Sequence, residues 1–142
     1  MTKVKDIYNY INTIAPYDEM EQWDNSGFIL GDENRSVSRV VMALDATKSV
    51  AAFAKSVEAD LLLTHHPIIF NPLKKILKGS AVYELINNDI EAMCAHTSFD
   101  KAKGGINDNL ASLLNLKNTV TLPSAASSHF DGSAVGFQNS IC

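Results

Sequence analysis

The chain has 142 residues, 46% of them apolar and 20% charged, which is typical of one globular domain rather than of a disordered or fibrous protein. Its formal net charge is −4, and no run of basic residues is longer than the pair Lys74-Lys75. The sequence therefore argues against direct contact with nucleic acid, although it is compatible with a small anionic ligand.

The first predicted elements are a helix and a strand. Thr2 is the candidate N-cap of the helix, Pro16 ends its pattern, and its apolar residues recur at helical spacing, at Val4, Ile7, Ile11 and Ile14. The continuous apolar run 40–44 then predicts a strand that is covered on both faces.

Two further rounds of helix and strand follow. Thr47 is suited to cap a helix whose shared face carries Val50, Phe53, Ala54 and Val57, and residues 61–63 predict a second apolar strand. A helix with apolar residues between 82 and 86, a strand at 90–95 and a helix at 106–114 complete the pattern.

Apolar strands that alternate with amphipathic helices are typical of βαβ units. We therefore expect an α/β fold with a largely parallel sheet and helices on both faces, formed as a single domain by residues 1–142. Residues 123–142 are loop-like, with at most one strand at 132–137, and their sequence does not define further structure.

Localisation is inferred from features that the sequence lacks. The N-terminal residues have no apolar core of the secretory type, and no apolar stretch of about eighteen residues occurs, so we expect a cytoplasmic protein without a membrane partner. Cys94 lies in an apolar segment, and we expect it to be a buried free thiol rather than half of a disulfide.

Titratable residues follow two of the predicted strands. His65 and His66 come after the strand at 61–63, and His96 and Asp100 come after the strand at 90–95. Because ligands bind beyond the carboxyl ends of parallel strands, these three histidines and the carboxylate are candidates for one site. Asp45 ends the first apolar strand and points to the same edge, either as a hydrogen-bond partner of a histidine or as an ordinary turn residue.

Imidazole and carboxylate ligands together suit zinc, iron, manganese or nickel better than calcium or magnesium. Side chains of adjacent residues in an extended chain point apart, so we expect His65 and His66 to serve two neighbouring ions, with Asp100 as a candidate bridge. The alternative, that these histidines are ordinary polar groups at strand ends, has about equal weight on the chemistry alone.

Other motifs carry less information. Gly104-Gly105 before a helix either admits an anion or forms a tight loop, and the segment around Trp23 reads as a turn. The sequence has no glycine-rich phosphate loop and no serine in a nucleophile-elbow pattern, so an enzymatic role would rest on metal-bound hydroxide.

Four segments of the chain resemble, in order, the signature blocks of the Nif-three-like dinuclear-metal proteins, many of which are described as GTP cyclohydrolase I type 2 homologues. The segments are WDNSGFILG at 23–31, ALDAT at 43–47, LTHHP at 63–67, and HTSFD at 96–100 followed by GGIN at 104–107. The resemblance as a whole covers roughly residues 1–120.

The resemblance implies a two-lobed α/β protein that forms a toroidal homohexamer with a pair of metal ions at each site. The family's double histidine matches His65 and His66, its carboxylate ligand matches Asp100, and His96 falls near the metals in some relatives. The family completes its site with a His and a Glu near the end of a longer chain, and the segment 129–133 does not match that motif. We therefore expect the chain to correspond to the first lobe, without the second.

Two functions follow from these observations. The first is a metal-dependent hydrolase that acts on a nucleotide or another small anionic substrate, with the resemblance pointing to GTP ring opening. The second is a non-enzymatic metal-binding or regulatory protein that acts through partners.

Overall fold

The computed structural model describes residues 1–120. Its elements in chain order are α1 (Val4–Ile14), a 3₁₀ turn (Tyr17–Glu19), β1 (Gly27–Leu30), β2 (Val40–Ala43), α2 (Lys48–Ser56), β3 (Leu61–Thr64), α3 (Ala81–Asn87), β4 (Glu91–Cys94), α4 (Thr97–Lys101) and α5 (Ile106–Leu113). No helix within these residues has the length and hydropathy needed to cross a membrane.

The four strands form one mixed sheet in the order β1-β4-β3-β2. β2, β3 and β4 are parallel and in simple register, whereas β1 pairs antiparallel with β4. The predicted α/β class with a largely parallel sheet is confirmed. The sequence patterns did not predict β1, which directly follows the turn predicted around Trp23.

Each face of the sheet carries its own apolar core. On one face, Leu62 and Leu85 are fully buried in a cluster to which α2 and α3 contribute. On the other face, Val4 and Ile11 of α1 pack against Leu61 and other residues of β3 and β4. The expected placement of helices on both faces is therefore correct.

Strand β2 differs from its prediction because it lies at the edge of the sheet. Val41 packs in the core, but Val40 and Met42 are exposed on the opposite face, where α1 covers the middle of the sheet and does not reach β2. In α2, Thr47 caps the helix as predicted, since its side chain accepts a hydrogen bond from the backbone N–H of Val50.

Three helix details also depart from the sequence pattern. Phe53 of α2 is exposed, and Ala51 instead joins Val50, Ala54 and Val57 on the face that packs against the core, so the predicted face is correct except at Phe53. Helix α1 begins after Lys3 rather than after Thr2, and Asp6 accepts the hydrogen bond of the Lys3 backbone N–H (2.8 Å). Helix α5 buries Ala111 and leaves its leucines exposed, at Leu110, Leu113 and the following Leu114.

Two carboxylates, Glu91 and Asp60, also stabilise the sheet, at the amino ends of β4 and β3. Glu91, which is almost fully buried, accepts a hydrogen bond from the backbone N–H of Asp32 and forms an ion pair with Arg35. Gly31 lies against it with φ of +107°, and a Cβ there would be 1.1 Å from the Glu91 Oε2 atom.

Asp60 links the segment before β3 to the entry of β2. Its Oδ2 atom accepts hydrogen bonds from the backbone N–H groups of Ser38 (2.7 Å) and Arg39 (2.9 Å). Partial burial acts to raise the pKa of Asp60, but these two hydrogen bonds and the nearby Arg35 outweigh it and lower the pKa.

The remaining sequence expectations concern Cys94 and the tail. Cys94 is a buried free cysteine, as predicted. The predicted loop-like segment 123–142, with its candidate strand at 132–137, lies outside the described residues.

Candidate metal centre

The first two histidines follow β3 directly. The backbone N–H groups of His65 and His66 donate to the carbonyls of Ala43 and Leu44, so both residues still lie beside the end of β2. The Thr64 hydroxyl then donates to the His66 carbonyl (2.7 Å) at a bend in the chain. The two ring centroids are only 4.9 Å apart. The expectation that the adjacent rings diverge is therefore wrong, because it assumed an extended chain.

The other two candidates follow β4. His96 precedes the first residue of α4, and its carbonyl accepts hydrogen bonds from the backbone N–H groups of Phe99 and Asp100. Because the helix begins so soon after the strand, Asp100 folds back toward the sheet edge. Its Oδ1 atom lies 3.6 Å from the Nε2 atom of His65.

The three histidines form one cluster. The His96 ring centroid is 5.1 Å from that of His65 and 5.5 Å from that of His66, and one ring nitrogen from each histidine lies within 4.8 Å of the others. We name this group the histidine cluster.

A hydrogen-bond acceptor holds the Nδ1 atom of every ring in the histidine cluster. The pairs are His65 with the Ala95 carbonyl (2.9 Å), His66 with Asp45 Oδ1 (2.6 Å) and His96 with Asp24 Oδ1 (2.9 Å). A carbonyl or an ionised carboxylate only accepts hydrogen bonds, so Nδ1 carries the proton in the neutral form of each ring, and the lone pair is then on Nε2. This arrangement is the one that orients histidines for metal binding.

Asp24 is the most firmly held of these acceptors. Its side chain is fully buried and also accepts hydrogen bonds from the Ser26 hydroxyl (2.7 Å), the Asn25 backbone N–H (2.7 Å), and both the backbone N–H (3.1 Å) and the hydroxyl of Thr97. Burial acts to raise the pKa of Asp24, but the bonds from Thr97, His96 and Ser26 outweigh it and lower the pKa from 3.8 to about 2. Asp24 is thus an ionised partner for His96 at neutral pH.

The sequence predicts some of the residues of this site but not all of them. His65, His66, His96 and Asp100 lie together at the expected sheet edge, and Asp45 lies where a histidine partner was expected. The sequence predicts Asp24 only as part of a turn. The one local indication of its role is its position two residues before Ser26, because an aspartate in such a turn often folds its side chain back onto nearby backbone.

The donor set fits a divalent transition metal. At zinc distances of about 2.1 Å, two ligands of one tetrahedral ion lie about 3.4 Å apart. The 3.6 Å between His65 Nε2 and Asp100 Oδ1 is close to this value and is longer than an ordinary N–H···O hydrogen bond. The wider spread of the three histidines accommodates either one ion after small ring rotations or two ions side by side.

The glycine pair forms a tight loop rather than an open anion site. The Gly104 N–H donates to the Asp108 carboxylate (2.6 Å), and the Gly105 backbone approaches the carbonyl of Phe99 so closely that a Cβ there would clash at 2.0 Å. The chain's own carboxylate therefore takes the place that an external anion would use.

Comparison with known proteins gives a consistent result. The model of the Duf34/NIF3 (NGG1p interacting factor 3) family matches residues 2–139. A Clostridium perfringens protein named GTP cyclohydrolase 1 type 2 homolog is 39% identical over 124 residues, which are 84% of this chain and 47% of the relative.

Two solved structures share the fold closely. A Bacillus cereus protein related to NIF3 has a TM-score of 0.81 and 37% identity, over 85% of this chain and 35% of that one. Reduced HcgD from Methanocaldococcus jannaschii has a TM-score of 0.81 and 36% identity, over 87% of this chain and 51% of that one. The chain thus spans about a third to a half of the length of these proteins.

Proposed function

This chain belongs to the Duf34/NIF3 family, and we propose that it supplies part of the metal centre of a metal-dependent hydrolase. His65, His66 and Asp100 are the proposed ligands, with His96 beside them. The observation that carries the proposal is the set of three imidazoles whose Nδ1 atoms are all engaged by acceptors, with the Nε2 atom of His65 lying 3.6 Å from Asp100 Oδ1.

A divalent transition metal held by these groups would supply Lewis acidity for hydrolysis near neutral pH. The chain's own residues supply orientation. Asp45 fixes the ring of His66, and Asp24 fixes the ring of His96. Of the described carboxylates that contact the histidine cluster, Asp100 alone does not accept an N–H from an Nδ1 atom, so its oxygens are available as ligands.

The substrate we propose is a nucleotide, and GTP is the first candidate because the curated relatives are named GTP cyclohydrolase 1 type 2 homologs. We extend the proposal to zinc, iron, manganese or nickel as the metal, two ions per complete site, and to assembly as a homohexamer. These three points rest on the family resemblance and on the chemistry of the donor set.

The test begins with the metal alone. The purified chain is loaded with zinc or manganese, the bound metal is counted by elemental analysis, and affinity is measured by calorimetry. We expect His65→Ala, His66→Ala and Asp100→Asn each to weaken binding at least tenfold. Asp18→Asn, at an exposed position in the 3₁₀ turn, is the matched control and is expected to leave affinity unchanged. Undiminished binding in the His65 and His66 variants would contradict the ligand assignment.

A second candidate, a protein that binds metal without turnover, is favoured by one observation. Two of the three carboxylates at the histidine cluster, Asp24 and Asp45, are engaged in holding rings and are not free to act as a general base. Incubation of GTP with the metal-loaded protein, combined with the lobe that completes the site, distinguishes the two functions. A hydrolase forms product that disappears with His65→Ala, whereas a metal carrier exchanges its ion without forming product.

A further inference from the structure

An aromatic pair lies beside the histidine cluster and has no role in the metal chemistry above. The centroids of the Trp23 and Phe70 rings are 5.9 Å apart, and those rings lie 6.1 and 6.4 Å from the ring of His96. Trp23 is 54% exposed and Phe70 is 45% exposed. Both residues therefore present apolar ring surface to solvent next to the histidine cluster.

The two aromatic residues are held in place by their loops. The residue after Trp23 is the buried Asp24, which is bonded to Thr97 and His96 at the end of β4. The side-chain amide of Asn25 donates to the carbonyl of Ile69 (2.6 Å) and so joins the loop of Trp23 to the loop of Phe70. The pair is thus fixed to the same sheet edge as the proposed ligands.

The geometry of the pair leaves room for a third ring. The planes of Trp23 and Phe70 are inclined at 54°, so neither ring covers the face of the other. Exposed aromatic faces bind planar rings by stacking at van der Waals distance. A ring stacked here lies within a few ångströms of His96, so other atoms of the same molecule reach the proposed ligands.

We propose that Trp23 and Phe70 form a subsite for a planar heteroaromatic ring of the nucleobase class. The inference rests on the proposed function, because it assigns the substrate class of the same site. It goes further because it names the residues that select the ring. These two residues are not among the proposed metal ligands.

Trp23 is the only tryptophan of the chain, so its fluorescence reports on this subsite alone. We would titrate guanosine into the metal-free and the zinc-loaded chain, with ribose 5-phosphate as the ligand without a ring and free tryptophan to correct for absorption. We expect saturable quenching by guanosine in both forms and none by ribose 5-phosphate.

Substitutions then assign the effect to the pair. Phe70→Leu is expected to weaken guanosine binding roughly five- to hundredfold, the range found when a stacking aromatic is removed. Phe53→Leu, the same change at an exposed position on α2, is the matched control and should leave binding unchanged. Trp23→Leu should weaken binding, and Trp23→Phe should largely retain it, as measured by ligand-observed NMR.

Three results would overturn the subsite. The first is guanosine binding that is equal in Phe70→Leu and Phe53→Leu. The second is Trp23 fluorescence that changes with protein concentration and not with guanosine, which would make the pair a contact between chains. The third is a chain that binds metal but not guanosine, which refutes the subsite and leaves the proposed function. A chain that binds guanosine but not metal refutes the proposed function and leaves the subsite.

Discussion

Replacing Asp24 by asparagine removes the charge that holds His96 while keeping the size of the side chain. In the parent chain, the backbone N–H of Thr97 donates to Asp24 Oδ2 at 3.1 Å. If the amide oxygen of the new asparagine stays toward His96, its NH₂ group takes the place of Oδ2 and faces this N–H. Two donors then oppose each other, and one buried N–H loses its partner. The hydroxyls of Ser26 and Thr97 can rotate to accept, but a backbone N–H cannot.

The expected cost follows from this single orphaned group and from the lost charge. An unsatisfied buried donor costs about 1–3 kcal/mol. The lowering of the Asp24 pKa from 3.8 to about 2 corresponds to about 2 kcal/mol in favour of the ionised form in the folded chain. The two figures describe largely the same hydrogen bonds and are not added, so we expect Asp24→Asn to lower the free energy of unfolding by about 2–3 kcal/mol at neutral pH.

Urea unfolding of the metal-free chain measures this loss, and zinc titration measures its effect on the site. With His96, the secondary candidate beside the three proposed ligands, acting as a further ligand, we expect zinc affinity to fall about 10–100-fold, as is typical when the hydrogen-bond partner of a metal-ligating histidine is removed. Asp45→Asn is the control for stability alone, because the Asp45 side chain is 54% exposed and its replacement should cost less than about 1 kcal/mol.

An Asp24→Asn chain that unfolds at the same urea concentration as the parent, with the same slope, would refute this reasoning. It would mean that the Thr97 N–H finds another acceptor and that Asp24 does not need its charge. A loss of stability without loss of zinc affinity would instead show that Asp24 stabilises the fold but does not orient His96 for metal.

Three further predictions follow from contacts outside the histidine cluster. Asp60→Asn should lower stability by about 1–2 kcal/mol at neutral pH, because two backbone N–H groups lose a charged acceptor. Since the Asp60 pKa is lowered by folding, this difference should be present above about pH 4 and disappear as the pH falls further, which urea titrations at several pH values will check. Gly31→Ala should cost more than about 3 kcal/mol in thermal unfolding, because its Cβ would overlap the Glu91 carboxylate, whereas Gly79→Ala meets no atom within 4 Å and should cost less. The exposed face of β2 should promote self-association that Met42→Lys reduces, and light scattering of a stable monomer at high concentration would contradict this.

Much of the sheet could be predicted because its central strands are continuous apolar runs. Leu61 and Leu62 are buried on opposite faces, so their run needs no polar alternation. The same pattern wrongly predicted that Met42 is buried, because the sequence does not show which strand will lie at the edge of the sheet. Phe53 was placed on the wrong side of α2 because small residues, at Ala51 and Ala54, make the closer contact with the sheet.

The candidate site could be predicted only in part, for a related reason. His65, His66, His96 and Asp100 follow strands, and the parallel arrangement brings those strand ends together. Asp24 does not follow a strand, and it reaches His96 across 72 residues of sequence because β1 runs antiparallel to β4. Local patterns carry no information about such a pairing, so the partner of His96 became visible only in the structure.

That antiparallel strand also sets an order of events during folding. The hydrogen bonds between Asp24 and Thr97 close a loop of 73 residues, whereas the helices and the β2–β3 pair form from segments much closer in sequence. Long-range closure is slow relative to local structure, so the segment that carries Asp24 docks on β4 late. Until it does, the ring of His96 has no fixed tautomer. The ability to bind metal should therefore appear with the slowest phase of refolding, after most of the helical signal has returned.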